Sequence, residues 1–183
     1  MEYEVIRSKR KTIGLEIGPR GLIVRVPMTA TKANIEQVIA SHREWVEKNL
    51  QKMRQRQEEL ETVEPLSAEE LAALAEKAKE IIPQRVRFYA EKIGVSYGRI
   101  TIRHQRTKWG SCSSKGNLNF NCLLMLAPPP VLDSVIVHEL CHRKEMNHSE
   151  RFYAEVLRVF PEYRTWDRWL KQNGAALMKR MVG

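Results

Sequence analysis

Apolar and polar positions alternate through the first thirty residues, in Tyr3-Glu4-Val5-Ile6, Thr12-Ile13-Gly14-Leu15-Glu16-Ile17 and Leu22-Ile23-Val24-Arg25-Val26. A period of two is that of a half-buried strand, and Gly18-Pro19-Arg20-Gly21 reads as a turn, so a short antiparallel β-meander is expected. The period then lengthens. Ile35, Val38, Ile39, His42, Trp45, Val46, Leu50 and Met53 recur at three and four, which predicts one amphipathic helix, capped by Thr29 or Thr31, with His42 and Trp45 on its packed face. The polar run from Gln51 to Glu64, ending at Pro65, reads as an exposed helix end and connector.

A second helical period opens at the capping box Ser67-Ala68-Glu69-Glu70 and continues through Leu71, Leu74, Ala78, Ile81 and Ile82. Pro83 has no backbone donor, so a kink or break is expected there before the pattern resumes through Val86, Tyr89, Ala90 and Ile93 to Gly94. Arg99–Arg103 and Asn117–Asn121 alternate like strands. Between them lie Trp109-Gly110-Ser111-Cys112 and the turn Ser113-Ser114-Lys115-Gly116. Pro128-Pro129-Pro130 starts the next helix. Phe152, Val156, Val159 and Phe160 mark another after Ser149. Pro161 opens the last, which carries Tyr163, Trp166, Trp169 and Leu170 and is expected to stop at Asn173-Gly174 before a frayed tail. The order predicts an α+β fold, with helices packed on a small, mostly antiparallel sheet. Residues 1–64 form a β-meander plus helix, 65–175 the core and 176–183 the tail, together one compact unit.

The chain of 183 residues has 43% hydrophobic content and no apolar run near the ~20 residues of a membrane span. Met1-Glu2-Tyr3-Glu4 is acidic where a signal peptide would be basic and then apolar, and Cys112, Cys122 and Cys141 have no paired spacing, so a cytoplasmic protein with reduced thiols is expected. The net charge of +9 is spread over the chain, with clusters at Arg7-Ser8-Lys9-Arg10-Lys11 and from Arg103 to Lys108. Such spread is that of a solvated surface and implies at most weak, sequence-independent nucleic-acid binding, since no zinc-finger, RNP or helix-turn-helix pattern is present.

The candidate chemistry lies in His138-Glu139-Leu140-Cys141-His142. Positions four apart lie about 40° apart on a helix, so both imidazoles can face one tetrahedral ion, with Glu139 placed to act as general base on a water bound to it. Cys141 is turned about 100° from His142 and reads as a small buried hydrophobe. A third histidine, His148, would point away if the helix ran on, so the helix must break. Asn147, tolerant of the left-handed conformation, is the expected break, with Ser149 capping the next helix. Three imidazoles are the ligand set of a catalytic zinc, whereas a structural zinc takes four protein ligands. Trp109, Gly110 and Ser111 either hold an extended substrate at a strand edge or fill a core corner and bulge.

Lys108-Trp109-Gly110-Ser111-Cys112, the apolar strand before Pro128, His138-Glu139-Leu140-Cys141-His142, Asn147-His148-Ser149 and Phe152 together resemble the YgjP-like family of small zinc metallopeptidases, more distantly similar to SprT/Spartan-type proteases. The resemblance implies a minimal zincin core in which His138, His142 and His148 hold one Zn2+ per chain and Glu139 activates the bound water. The six-residue gap from His142 to His148 is also that of metzincins, which carry Gly where this chain has Glu145. The expected function is zinc-dependent hydrolysis of peptide bonds in a protein or peptide substrate. Tyr153, Arg106 and Lys108 are candidate oxyanion donors. Two alternatives are a DNA-recruited protease acting on DNA-bound proteins, and a non-enzymatic nucleic-acid- or partner-binding protein with a structural zinc.

Overall fold

In the computed structural model, which describes residues 2–181, the N-terminal strands pair out of sequence order. β1 (Tyr3–Ser8), β2 (Gly14–Gly18) and β3 (Gly21–Pro27) lie in the order β1-β3-β2. The β2–β3 hairpin turns at Gly21, whose φ of 125° suits glycine. β1, however, runs parallel to β3, with Tyr3 opposite Leu22, so the sheet is not a meander. Arg7 accounts for this. Its guanidinium donates to the Met28 and Ala30 carbonyls at 2.9 and 3.0 Å, just past the end of β3. Those bonds bring the C-terminal ends of β1 and β3 together, as only a parallel pairing does.

Leu22, Val24 and Val26 line the buried face of β3 and meet Ile35 and Val46. The single expected helix is two, α1 (Lys32–Ser41) and α2 (Arg43–Glu61), with Thr31 as the N-cap of the first. The break falls at His42, whose backbone leaves the helical region (ψ 20°) while its Nδ1 reaches the Val38 carbonyl at 2.9 Å. His42 therefore makes a local cap and is exposed, and Trp45 is 45% exposed, where both were expected to pack. These elements form one compact unit, Met1–Thr62, and the remainder a second, Val63–Gly183.

The second unit begins with α3 (Ala68–Ile93), capped by the Ser67/Glu70 box and closed by Gly94 at φ 78°. Pro83 does not break it. Ala75, Ala78, Ile82, Val86, Tyr89, Ala90 and Ile93 form one buried stripe on both sides of the proline, so packing holds the helix across the missing hydrogen bond. β4 (Ile100–Arg103), β5 (Gly110–Cys112) and β6 (Leu118–Asn121) form a second sheet in the order β4-β6-β5, parallel between β4 and β6 and antiparallel between β5 and β6. Each sheet is thus mixed. The apolar stretch before Pro128, expected as a strand, is a 3-10 turn over Cys122–Leu126, started by the Asn121 side chain accepting from the Leu123 amide.

α4 (Pro129–Cys141) is the centre of this unit. From Val131 to Cys141 every residue except His138 is buried, against Ile82, Phe120, Phe152 and Val156 among others. Such a helix is mostly apolar because it is covered all round, and Asp133, Ser134 and Glu139 are its buried polar residues. α5 (Glu150–Val159) follows Ser149, which caps it as expected. α6 (Tyr163–Lys179) runs past Asn173-Gly174, where a stop was expected, and so takes in much of the supposed tail. Gly174 is buried beneath Trp109, and a Cβ there would stand 3.1 Å from the indole. It is a contact glycine and not a terminator. Val182 and Gly183 lie outside the described residues. Among those described, no helix is long and apolar enough to cross a membrane.

Glu155 on α5 accepts from Arg158 and from Lys144, the latter at 2.6 Å, which ties α5 to the turn after α4. The Arg158 hydrogen bonds, helped by Lys144 against the cost of burial, hold its carboxyl down at about 2 from an ordinary 4.5. Because the folded value is depressed, the stabilisation is present above pH 4.5 and is lost as pH falls towards 2. Glu155→Gln should cost about 1 kcal/mol in urea unfolding at neutral pH. The gap from wild type should close as the acid limit is approached; a gap unchanged by pH would show that the carboxylate charge is not what matters.

Candidate metal centre

His138 and His142 end α4 on one face, four residues apart, and His148 returns to them from the link into α5. The link does not follow the expected path. α4 stops at Cys141, and the Arg143 and Lys144 amides bond the Leu140 and Cys141 carbonyls, tightening the chain at once. No residue other than glycine has positive φ among those described, so Asn147 is not left-handed. The turn is anchored by side chains instead. Arg143 donates to the Ser96 and Ser114 carbonyls at 3.0 and 3.1 Å.

The three imidazoles place one nitrogen each within 4.8 Å of one another, and no other His, Cys, Asp or Glu of the described residues joins them. His138 Nε2 and His148 Nε2 are 3.0 Å apart, near the edge of about 3.3 Å that two nitrogens span around a tetrahedral zinc. The outer nitrogens of His138 and His142 are engaged elsewhere. His138 Nδ1 meets the Tyr163 hydroxyl at 2.8 Å, and His142 Nδ1–H donates to the Glu145 carbonyl at 3.1 Å. A donated Nδ1–H leaves the Nε2 lone pair as the inward ligand, the usual outer support of a metal-bound histidine. Burial, then the neighbouring imidazoles, brings His138 down to about 4, and burial lowers His142 as well. Both are neutral at pH 7, as ligands must be. The donor set fits a metal ion.

Glu139 is 7% exposed and lies under β5. A Cβ on Gly110 would stand 2.8 Å from both its Cγ and its Oε1, so only glycine allows the strand this close to the carboxylate. Burial pushes the carboxyl up to about 7, opposed by the Lys108 ammonium and the Cys112 backbone amide. Hydrogen bonds from Asn121 N–H to the Trp109 carbonyl and from Ser113 N–H to the Asn117 carbonyl fix the alternation of the β5–β6 ladder. The main chains of Gly110 and Cys112 therefore face the outer edge of β5, and the Cys112 amide is already turned to Glu139.

A cavity of about 200 Å³ joins Lys108, Trp109 and Gly110 to His138, Glu139, Tyr163 and Asp167. Trp109 and Gly110 are thus at the site, while Ser111 Oγ accepts from Asn119 within the sheet. Tyr153 lines an adjoining cavity and its ring lies 6.3 Å from that of His148. Arg106 is exposed and lines neither cavity. Tyr163 and Asp167 had no signal beyond α6 periodicity. A tyrosine on an apolar stripe reads as core, and only its hydrogen bond to His138 sets it apart. Cys141 is a buried thiol, as expected, and burial pushes it up to about 12.

The profile described as the YgjP-like metallopeptidase domain matches residues 11–73 and 68–173. A protein of Escherichia coli strain K12 named UTP pyrophosphatase is 33% identical over 58 residues, 32% of this chain and 35% of that protein. The match spans about a third of that relative's length. Among solved structures, the metallopeptidase zymogen abylysin of Pyrococcus abyssi is 22% identical with a TM-score of 0.47, over 56% of this chain and 100% of that one. The zymogen jannalysin of Methanocaldococcus jannaschii is 23% identical with a TM-score of 0.46, over 51% and 97%.

Gly110→Ala tests the contact between β5 and α4. The added methyl has to displace the Glu139 carboxylate or lift the strand, at a cost of about 1–3 kcal/mol. Thermal unfolding should register that loss while metal content stays unchanged, since the imidazoles are held from α4, α5 and α6. Wild-type stability in the variant would mean that the strand sits farther from the helix.

Proposed function

Because the chain belongs to the YgjP-like metallopeptidase family, we propose that it is a zinc-dependent peptidase that hydrolyses peptide bonds with Glu139 as general base. The observation that carries this reading is the convergence of three imidazoles beside a buried carboxylate. His138, His142 and His148 would hold one zinc per chain. When bound, zinc would act there as a Lewis acid on the scissile carbonyl and would acidify water. Glu139, fixed between Gly110 and the Cys112 amide, takes a proton from the attacking water and returns it to the leaving amine. Tyr163 and the Glu145 carbonyl keep two imidazoles turned inward. The outer main chain of Gly110 aligns an extended substrate beside Glu139, with the Trp109 ring as part of the same wall. Lys108 and Tyr153 are the candidates for the developing oxyanion, and Arg106 is set aside. The three free thiols suit a reducing compartment such as the cytoplasm.

A second reading is favoured by one observation, the name of the Escherichia coli relative. The same base and ion would also serve water attack on a phosphoanhydride, with Lys108 beside the reacting group. Neither the DNA-recruited protease nor a non-enzymatic zinc protein has comparable support.

His148→Ala should weaken zinc retention by about tenfold to a hundredfold or more, read by competition with a chelating dye. Unchanged affinity would place the third ligand elsewhere. Glu139→Gln keeps shape and removes the base, so the variant should bind zinc and fold as wild type yet lose about 10²-fold or more of its turnover. Peptide and UTP assays on this pair of proteins decide between the two readings, and wild-type rates in the Gln variant would refute both.

A further inference from the structure

Two cavities meet at Tyr163 and Asp167. The one of about 200 Å³ contains His138 and Glu139, and the other, of about 390 Å³, is lined by Tyr153, Tyr163, Arg164, Asp167, Arg168 and Lys171. Sharing two side chains, they adjoin each other along α6, and together they are called the groove.

Arg164, Arg168 and Lys171 fall at i, i+4 and i+7, on one face of the helix. Asp167, the acidic residue in the groove wall, is held by Lys171 at 2.6 Å, so these two charges offset each other. Two other arginines of this unit, Arg85 and Arg158, are paired with the carboxylates of Asp133 and Glu155. Arg164 and Arg168 are exposed and, among the described residues, neither has an ion-pair partner. The cavity next to the one that holds Glu139 therefore carries two guanidinium groups without an ion-pair partner among the described residues.

We infer that this face of α6 is a specificity subsite for acidic side chains, so that the preferred substrate is an extended peptide with Asp or Glu at alternate positions on one side of the cleaved bond. The spacing selects a peptide. Four residues along α6 rise about 6 Å, close to the roughly 6.6–6.8 Å between alternate side chains of an extended strand. A nucleoside triphosphate would concentrate its charge in one compact group. Arginine matches a carboxylate with two parallel donors, which favours Asp and Glu over a diffuse attraction. The inference rests on the peptidase reading for its substrate class, but binding can be measured apart from turnover.

The experiment uses the zinc-loaded full chain carrying Glu139→Gln, and reads binding of a fluorescent octapeptide with two alternating Glu against its Gln counterpart by anisotropy. The acidic peptide should bind about tenfold more tightly at low ionic strength, and the preference should shrink with salt. Adding Arg164→Gln and Arg168→Gln should bring the ratio of the two affinities to about one, and Arg168→Glu should turn the preference towards a Lys-bearing peptide. Equal affinities in the starting protein would overturn the inference, as would a ratio that survives loss of both arginines. Arginine-dependent binding of UTP without any peptide preference would also overturn it, in favour of a polyphosphate subsite. Selective binding of the acidic peptide by a wild-type chain that cleaves no peptide would leave the subsite standing and remove the peptidase reading.

Discussion

A missing β-carbon at position 110 is the constraint on which the placement of Glu139 depends. With hydrogen in that place, the edge strand β5 comes down onto α4 until its backbone touches Glu139. The carboxylate is then desolvated from above by the strand and from below by the helix, and an amide of the same strand faces it. A side chain at 110 would open the gap to water and return the carboxyl to its ordinary range. Trp109, one residue earlier, needs a second glycine on α6, since Gly174 lets that helix approach the indole. Two positions without side chains thus bring a strand and two helices around a single acid.

The electrostatic plan is uniform. Among the described residues no carboxylate hydrogen-bonds His138 or His142; their outer nitrogens meet a tyrosine hydroxyl and a main-chain carbonyl. These partners fix ring orientation, and burial holds His138 and His142 in the lone-pair form, for His142 against the pull of the Glu145 hydrogen bond towards the protonated ring. The positive charge of the chain lies outside this zone. Lys108 reaches its rim, and Arg164 and Arg168 stand farther along α6.

What could be read in advance follows the range of each interaction. The spacing of His138 and His142, the Ser149 cap, the Ser67/Glu70 box and the turn at Gly21 are written in adjacent residues, and all stand as expected. Pro83 and Gly174 misled because their local meaning was overridden by packing with residues far away in the chain. The parallel placement of β1 depends on Arg7 meeting carbonyls some twenty residues on, and alternation has no sign for strand direction. Tyr163 is hidden for the same reason, its partner lying twenty-five residues earlier. The end of α4 at Cys141 was missed because the residues that hold the following turn come from Ser96 and Ser114.

That last clamp couples three loops. The guanidinium of Arg143 joins the segment after α3, the β5–β6 turn and the turn that carries the chain to His148, and Gly116 packs so close that a Cβ would lie 2.9 Å from its Cζ. Loop lengths on a surface ordinarily drift independently, because closure entropy grows only slowly with length. Here an insertion in any one of the three would pull the common knot, so a change in one length strains the other two.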